Sequence, residues 1–203
     1  MIRKEFVNQR VLEIYRRMPV IRFPVRLKDV IAQIDNCRFM SYQELADITG
    51  TTIDDIIQIC ESESGCTHYD PGKDRYLILC NQSIHCNSIR RQRWTCGHEI
   101  GHVMCRHNPT ELVSLISENN VPGHIDTDIE HEADYFAATL LAPLPYFEPL
   151  GVKSSEDIMN IFGLSSESAK YRLEEYQRWR RYHRKTAWEN DMLKQFRLKY
   201  KAN

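Results

Sequence analysis

Apolar positions along the chain recur mostly at three- and four-residue intervals, the period of a helix with one buried face. Phe6, Val7, Val11, Leu12 and Ile14 predict a helix over 4–17, closed before Pro19. After Pro24, LKDVIAQID carries the same spacing through Leu27, Val30, Ile31 and Ile34. SYQELADITGTTIDDIIQIC predicts two short helices with a turn at Gly50, the second capped by Thr51 or Thr52. The period then changes at Gly65. RYLILCN (75–81) is short, apolar and preceded by the turn signal DPGKD, so it reads as a strand, with HYD as a hairpin partner.

Helical spacing returns in NSIRRQRWTCGHEIGHVMCRHNP, which predicts a helix from about residue 88 to 107, stopped by Asn108-Pro109. Residues 110–126 read as a connecting loop with one short helical turn. IEHEADYFAATLLAP predicts a second strong helix, capped by Asp126, Thr127 or Asp128 and ended by Pro143. Its buried stripe is Ile129, Ala133, Phe136, Ala137 and Leu140. Ser155 opens a short helix that ends at Gly163, SSESAKYRLEEY begins another, and the tail bearing Trp188, Phe196 and Tyr200 is expected to be helical.

Composition places this helical chain among globular proteins. At 203 residues, 42% hydrophobic and 27% charged, it is long enough for one sizeable core. No apolar run is long enough to span a bilayer, and the charged N-terminus MIRKEFVNQRVLEIYRRMPV lacks the apolar segment of a secretory signal. A cytoplasmic location without membrane contact is therefore expected. The seven cysteines are odd in number and include no C-x-x-C, so they are expected as free thiols that pack as small hydrophobes. The net charge of −1 conceals an asymmetry. Residues 36–169 carry 8 Lys+Arg against 20 Asp+Glu, while residues 1–35 carry 8 against 4 and residues 170–203 carry 11 against 4. Basic ends thus flank an acidic body, and packing on that body is preferred to nucleic-acid contact. Glu44, Asp47, Asp54 and Asp55 would repel phosphate from the helix pair at 41–60.

His98-Glu99-Ile-Gly-His102 is an H-E-x-x-H motif. On a helix, residues four apart share a face, so both imidazoles can grip one ion, and Glu99 can reach water bound to it. Glycines cost about 1 kcal/mol each inside a helix, so Gly97 and Gly101 beside the motif ask for a reason, and close approach of another element supplies one. A catalytic zinc needs a third protein ligand and an open position. Glu130 lies on the shoulder of the second helix's apolar stripe, about 60° from Ala133, whereas Glu132 lies about 100° away on the other side. Asp134 follows Glu130 by one turn, placed to accept from a ligand imidazole. A capping box with Thr127 is the competing role for Glu130; the ligand role is preferred.

RRQRWTCGHEIGH, EHEADYFAATLLAP and IMNIFGLSSESAKYRL together resemble the ImmA/IrrE family of zinc metallopeptidases, over roughly residues 25–175. The resemblance implies an α+β fold: a mostly helical zincin-like domain with a small β-sheet and an active-site helix bearing H-E-x-x-H. It implies Zn2+ on His98, His102 and Glu130, with Glu99 as general base. It also implies a protein substrate, often a transcriptional repressor. Cys96 and Gly97 depart from the aliphatic residue and alanine usual in the family, without touching the ligands. The expected organisation is an N-terminal helical segment (1–24), the metallopeptidase domain (25–175) and a basic aromatic helical tail (176–203).

The expected chemistry is metal-assisted peptide hydrolysis. RYLILCN could pair with an extended substrate if it edges the cleft. Tyr69, His68, His107 and His124 are candidate oxyanion helpers, although His107 at the helix end reads more simply as a cap or surface residue. Two alternatives stand beside this. GLSSESAKYRLEEY resembles the second half of a helix-turn-helix leading into a basic tail, which suits a DNA- or protein-binding regulator with a structural zinc. The tail could also lie in the cleft of a latent protease.

Overall fold

A computed structural model of the protein describes residues 2–83, 88–107, 127–182 and 185–202. Helices α1 (Lys4–Arg17) and α2 (Leu27–Ile31) lead to strand β1 (Cys37–Ser41), then to α3 (Tyr42–Thr49) and α4 (Ile53–Cys60). The hairpin β2 (Gly65–Asp70) and β3 (Arg75–Cys80) precedes α5 (Ile89–Cys105) and α6 (Thr127–Leu141). A 3-10 turn at Leu144–Tyr146 is followed by α7 (Ser155–Phe162), α8 (Ser166–Tyr182) and α9 (Ala187–Lys199). The fold is α+β and mostly helical.

Local chemistry accounts for most boundaries. Ser41, Thr52, Ser154 and Thr186 each open a helix with a reciprocal capping box, and Gly50 and Gly163 close α3 and α7 in the left-handed conformation. The second predicted helix is shorter than its apolar spacing suggests, since only Leu27–Ile31 is helical. Helix α5 stops at Arg106 (φ 56°), ahead of the proline. The expected loop at 110–126 lies outside the described residues.

The sheet has the order β1-β3-β2, with β1 parallel and β2 antiparallel to β3. The expected hairpin is present, its turn held by Asp70 Oδ1, which accepts from Gly72 N–H. Strand β1 was not anticipated, because CRFMS is short and its parallel partner lies some way along the chain. That extra strand has a consequence: β3 is central and its backbone is already paired on both sides. RYLILCN therefore has no free edge for a substrate. Among the described residues, the unpaired edge nearer α5 belongs to β2, whose Gly65 and Thr67 meet Thr95 and Glu99 of that helix.

One large hydrophobic core joins α1 (Val7, Val11, Leu12), α5 (Ile100, Val103), α6 (Phe136, Leu140) and α9 (Met192, Phe196). Each such side chain taken fully out of water stabilises by about 1.5–3 kcal/mol. The basic ends pack on this core. Tyr15 Oη donates to Leu140 O, Lys199 Nζ donates to the carbonyls of Tyr15 and Arg16 at the end of α1, and Ile21 pairs with Tyr200 as a parallel bridge. Helix α9 rests against α1 and the 3-10 turn, so the expectation of a tail lying in the cleft does not hold for its described part. A second, smaller cluster of Tyr42, Ala46, Ile56 and Leu79 fastens α3 and α4 to the sheet.

Candidate metal centre

Helices α5 and α6 pack directly on each other, and two small residues set their separation. A Cβ at Gly101 would lie 3.0 Å from both Cα and O of Ala133, backbone atoms that cannot yield. At Gly97 the nearest atom is Leu141 Cδ1 at 3.3 Å, the end of a flexible side chain. The close approach brings the His98–His102 face of α5 against the Glu130–Asp134 face of α6.

His98 Nε2 lies 3.1 Å from Glu130 Oε2 and 3.0 Å from His102 Nε2, and His102 Nε2 lies 3.6 Å from Glu130 Oε1. One donor atom from each of the three residues falls within 4.8 Å of the others. A tetrahedral ion with bonds of about 2.0–2.1 Å has donor–donor edges of roughly 3.3–3.4 Å, so these spacings suit zinc. Two imidazoles and one carboxylate also favour zinc over calcium or magnesium, which take oxygen ligands. Glu130 keeps 41% of its side-chain surface exposed, leaving one side of the group open. Its carboxylate faces the histidines, the arrangement expected of a ligand.

His98 Nδ1 meets Asp134 Oδ1 at 2.9 Å, which directs Nε2 toward the shared centre. Burial works against a charged His98, yet the hydrogen bonds to Asp134 and Glu130 outweigh it and raise its pKa. His102 is depressed by burial and by the charge on His98. The bond to His98 lowers Glu130.

Glu99 is buried on the same helix. Thr67 Oγ1 lies 2.7 Å from Glu99 Oε2 and 3.2 Å from Glu99 O, so a hydroxyl on β2 holds the carboxylate toward the sheet side. Burial raises the Glu99 pKa, and the Thr67 bond and the charge on His98 offset part of that rise.

Against known families, the model of the IrrE N-terminal-like domain (peptidase M78) matches residues 59–174, more than half of the chain. The chain belongs to this metallopeptidase family. A comparison with curated proteins finds no match. The matched stretch of this M78 peptidase runs from the end of α4 into α8 and contains the whole H-E-x-x-H helix and α6.

Several residues of the M78 peptidase behave differently from the sequence expectation. His107 is no surface residue: its backbone N–H caps the helix by donating to His102 O at 2.9 Å, while its ring is buried, with Nδ1 3.2 Å from His102 Nδ1 and Nε2 3.2 Å from Glu132 Oε2. With both nitrogens engaged it is a poor oxyanion helper. Glu132, about 100° from Ala133 but one turn before Phe136 and so about 40° from that edge of the stripe, is also buried. Tyr69 Oη donates to Asp74 in the hairpin, His68 is exposed, and His124 lies outside the described residues. Cys37, Cys60, Cys66, Cys80, Cys96 and Cys105 are free thiols, as expected for those six. Among the described residues no helix is long and apolar enough to cross a membrane. Thr67 gave no local signal, since it lies 32 residues before Glu99 on a separate strand.

Proposed function

We propose that the protein is a zinc-dependent endopeptidase in which His98, His102 and Glu130 hold the ion and Glu99 is the general base. The observation that supports this most directly is the convergence of those three donors beside a buried, hydrogen-bonded glutamate. Bound zinc supplies a Lewis acid that acidifies water and polarises the scissile carbonyl. Glu99 accepts the proton that water loses as its oxygen attacks the carbonyl carbon. The same carboxyl then delivers that proton to the amide nitrogen as the C–N bond breaks, leaving a carboxylate and an amine. Thr67 orients Glu99, and Asp134 fixes the tautomer of His98. The raised pKa of Glu99 suits a group that must take up and return a proton near neutral pH.

The substrate is a protein, and the family resemblance favours a transcriptional repressor in the cytoplasm. Purified zinc-loaded wild type and Glu99→Gln, each added to a host cell extract, would be compared by labelling of newly formed N-termini. Glu99→Gln should keep its zinc and lose cleavage by about 10²–10⁴-fold. Equal cleavage by the two proteins would overturn the assignment of Glu99.

A further inference from the structure

His98 and His102 turn their Nε2 atoms to the shared centre, and what meets each Nδ1 differs. For His98 it is the carboxylate of Asp134. For His102 it is another imidazole, His107 Nδ1 at 3.2 Å, and His107 Nε2 in turn lies 3.2 Å from Glu132 Oε2. Both distal side chains are almost fully enclosed, at 2% and 4% exposure. Arg3, just ahead of α1, closes the series: its backbone N–H, Nε and Nη2 reach the Glu132 carboxylate at 2.7, 2.9 and 2.7 Å.

We propose that His107, Glu132 and Arg3 form a positioning relay that fixes the ring and tautomer of His102 for the metal. The proposal rests on reading His98, His102 and Glu130 as the zinc site. Its direction follows from proton counting. If Nε2 of His102 gives its lone pair to the ion, the ring proton sits on Nδ1. Two Nδ1 atoms at hydrogen-bond distance need one donor and one acceptor, so His107 Nδ1 is bare and accepts. His107 is then the Nε2–H tautomer and donates to Glu132. The one negative charge in the series meets the guanidinium of Arg3, so the buried relay is neutral. Carboxylates commonly hold ligand histidines directly; here the carboxylate acts through a second imidazole and a residue outside the matched family stretch.

The same residues have a rival use. Cys105, His107 and Glu132 bring three donor atoms within 4.8 Å of one another, the spacing of a second metal site. The relay fits better. His107 has no lone pair to spare, and Arg3 already neutralises Glu132.

The test is zinc titration of the metal-free full chain against a chromophoric chelator, with the absorption bands of the cobalt-substituted protein as a second readout. His107→Leu should weaken zinc binding about 10–100-fold and shift the cobalt bands. In His107→Gln the side-chain carbonyl accepts from His102 while its NH2 donates to Glu132, so most of the affinity should return. Arg3→Ala, at a half-exposed side chain, should give a smaller loss in the same direction. In the zinc-loaded wild type, nitrogen-15 NMR should find the His107 proton on Nε2, and a proton on Nδ1 would overturn the relay even if no variant folds. Unchanged affinity and cobalt bands in His107→Leu and Arg3→Ala would also overturn it, as would a second equivalent of zinc lost with Cys105→Ser. A wild type that takes up no zinc refutes the metal site itself. A wild type that binds zinc, beside variants that bind equally well, refutes the relay alone.

Discussion

His98 and His102 share one motif on one helix, yet the two flanks that hold them are built on different terms. On the outer flank, Asp134 is 49% exposed and meets His98, in reach of water. On the inner flank, His107 and Glu132 are enclosed, and the carboxylate needs Arg3 beside it to remain charged. An ion near water is stabilised by solvent whatever its partner does, whereas an enclosed ion depends wholly on its neighbours. In the proposed zinc site the outer flank would therefore tune metal binding without touching the fold, while on the inner flank the two would be tied together.

Changing the two carboxylates separately is the most severe way to break that contrast. Glu132→Ala leaves buried His107 without its acceptor and half-exposed Arg3 without its anion, and should cost about 1–3 kcal/mol in denaturant unfolding of the metal-free protein. The same carboxylate gives the inner flank an acid sensitivity. Burial alone would raise its pKa, but the bonds from Arg3 and His107 bring it down to about 2, against about 4.3 for an unfolded glutamate. A depressed folded value means stability that is complete above the unfolded pKa and is lost as pH falls toward about 2. That component of an acid-unfolding curve should be missing in Glu132→Ala. Asp134→Ala should leave unfolding nearly unchanged and weaken zinc affinity about 10–100-fold; a large loss of stability there would erase the distinction between the flanks.

The glycines sharpen the comparison at the helix crossing. Gly101→Ala drives a methyl into the backbone of Ala133 and should cost about 1–3 kcal/mol of stability, read by thermal or denaturant unfolding. Gly97→Ala meets side chains alone, Leu141 Cδ1 at 3.3 Å and Ala137 Cβ at 3.5 Å, and gains helix propensity, so its net effect should stay within about 1 kcal/mol. The smallest effect belongs to Thr67→Val, which removes a hydroxyl that lowers the Glu99 pKa. The acid limb of kcat/KM should move to higher pH, with the alkaline limb and the zinc content unchanged.

Legibility in the sequence divides along the same line. The outer flank could be read from helical angles: His98 and His102 lie four apart, Glu130 sits on the shoulder of a visible apolar stripe, and Asp134 falls one turn beyond it. These are local relations, and periodicity reports them. The inner flank was missed because its partners are distant. Arg3 comes from ahead of the first helix, and Glu132 was measured only against Ala133, although it stands one turn before buried Phe136. His107 misled by position, since a histidine after a helix end usually meets water. The fold divides likewise: capped helices and the hairpin were visible, while β1 depends on parallel pairing with β3 that no local pattern encodes.

The link between Arg3 and Glu132 also sets an order of events. Its partners are 129 residues apart in the chain, and nearly everything that forms the centre lies between them. A chain leaving the ribosome presents Arg3 first and must wait for α6 before that arginine has a carboxylate to grip. The centre therefore stays incomplete until the 129 residues that follow Arg3 have been made.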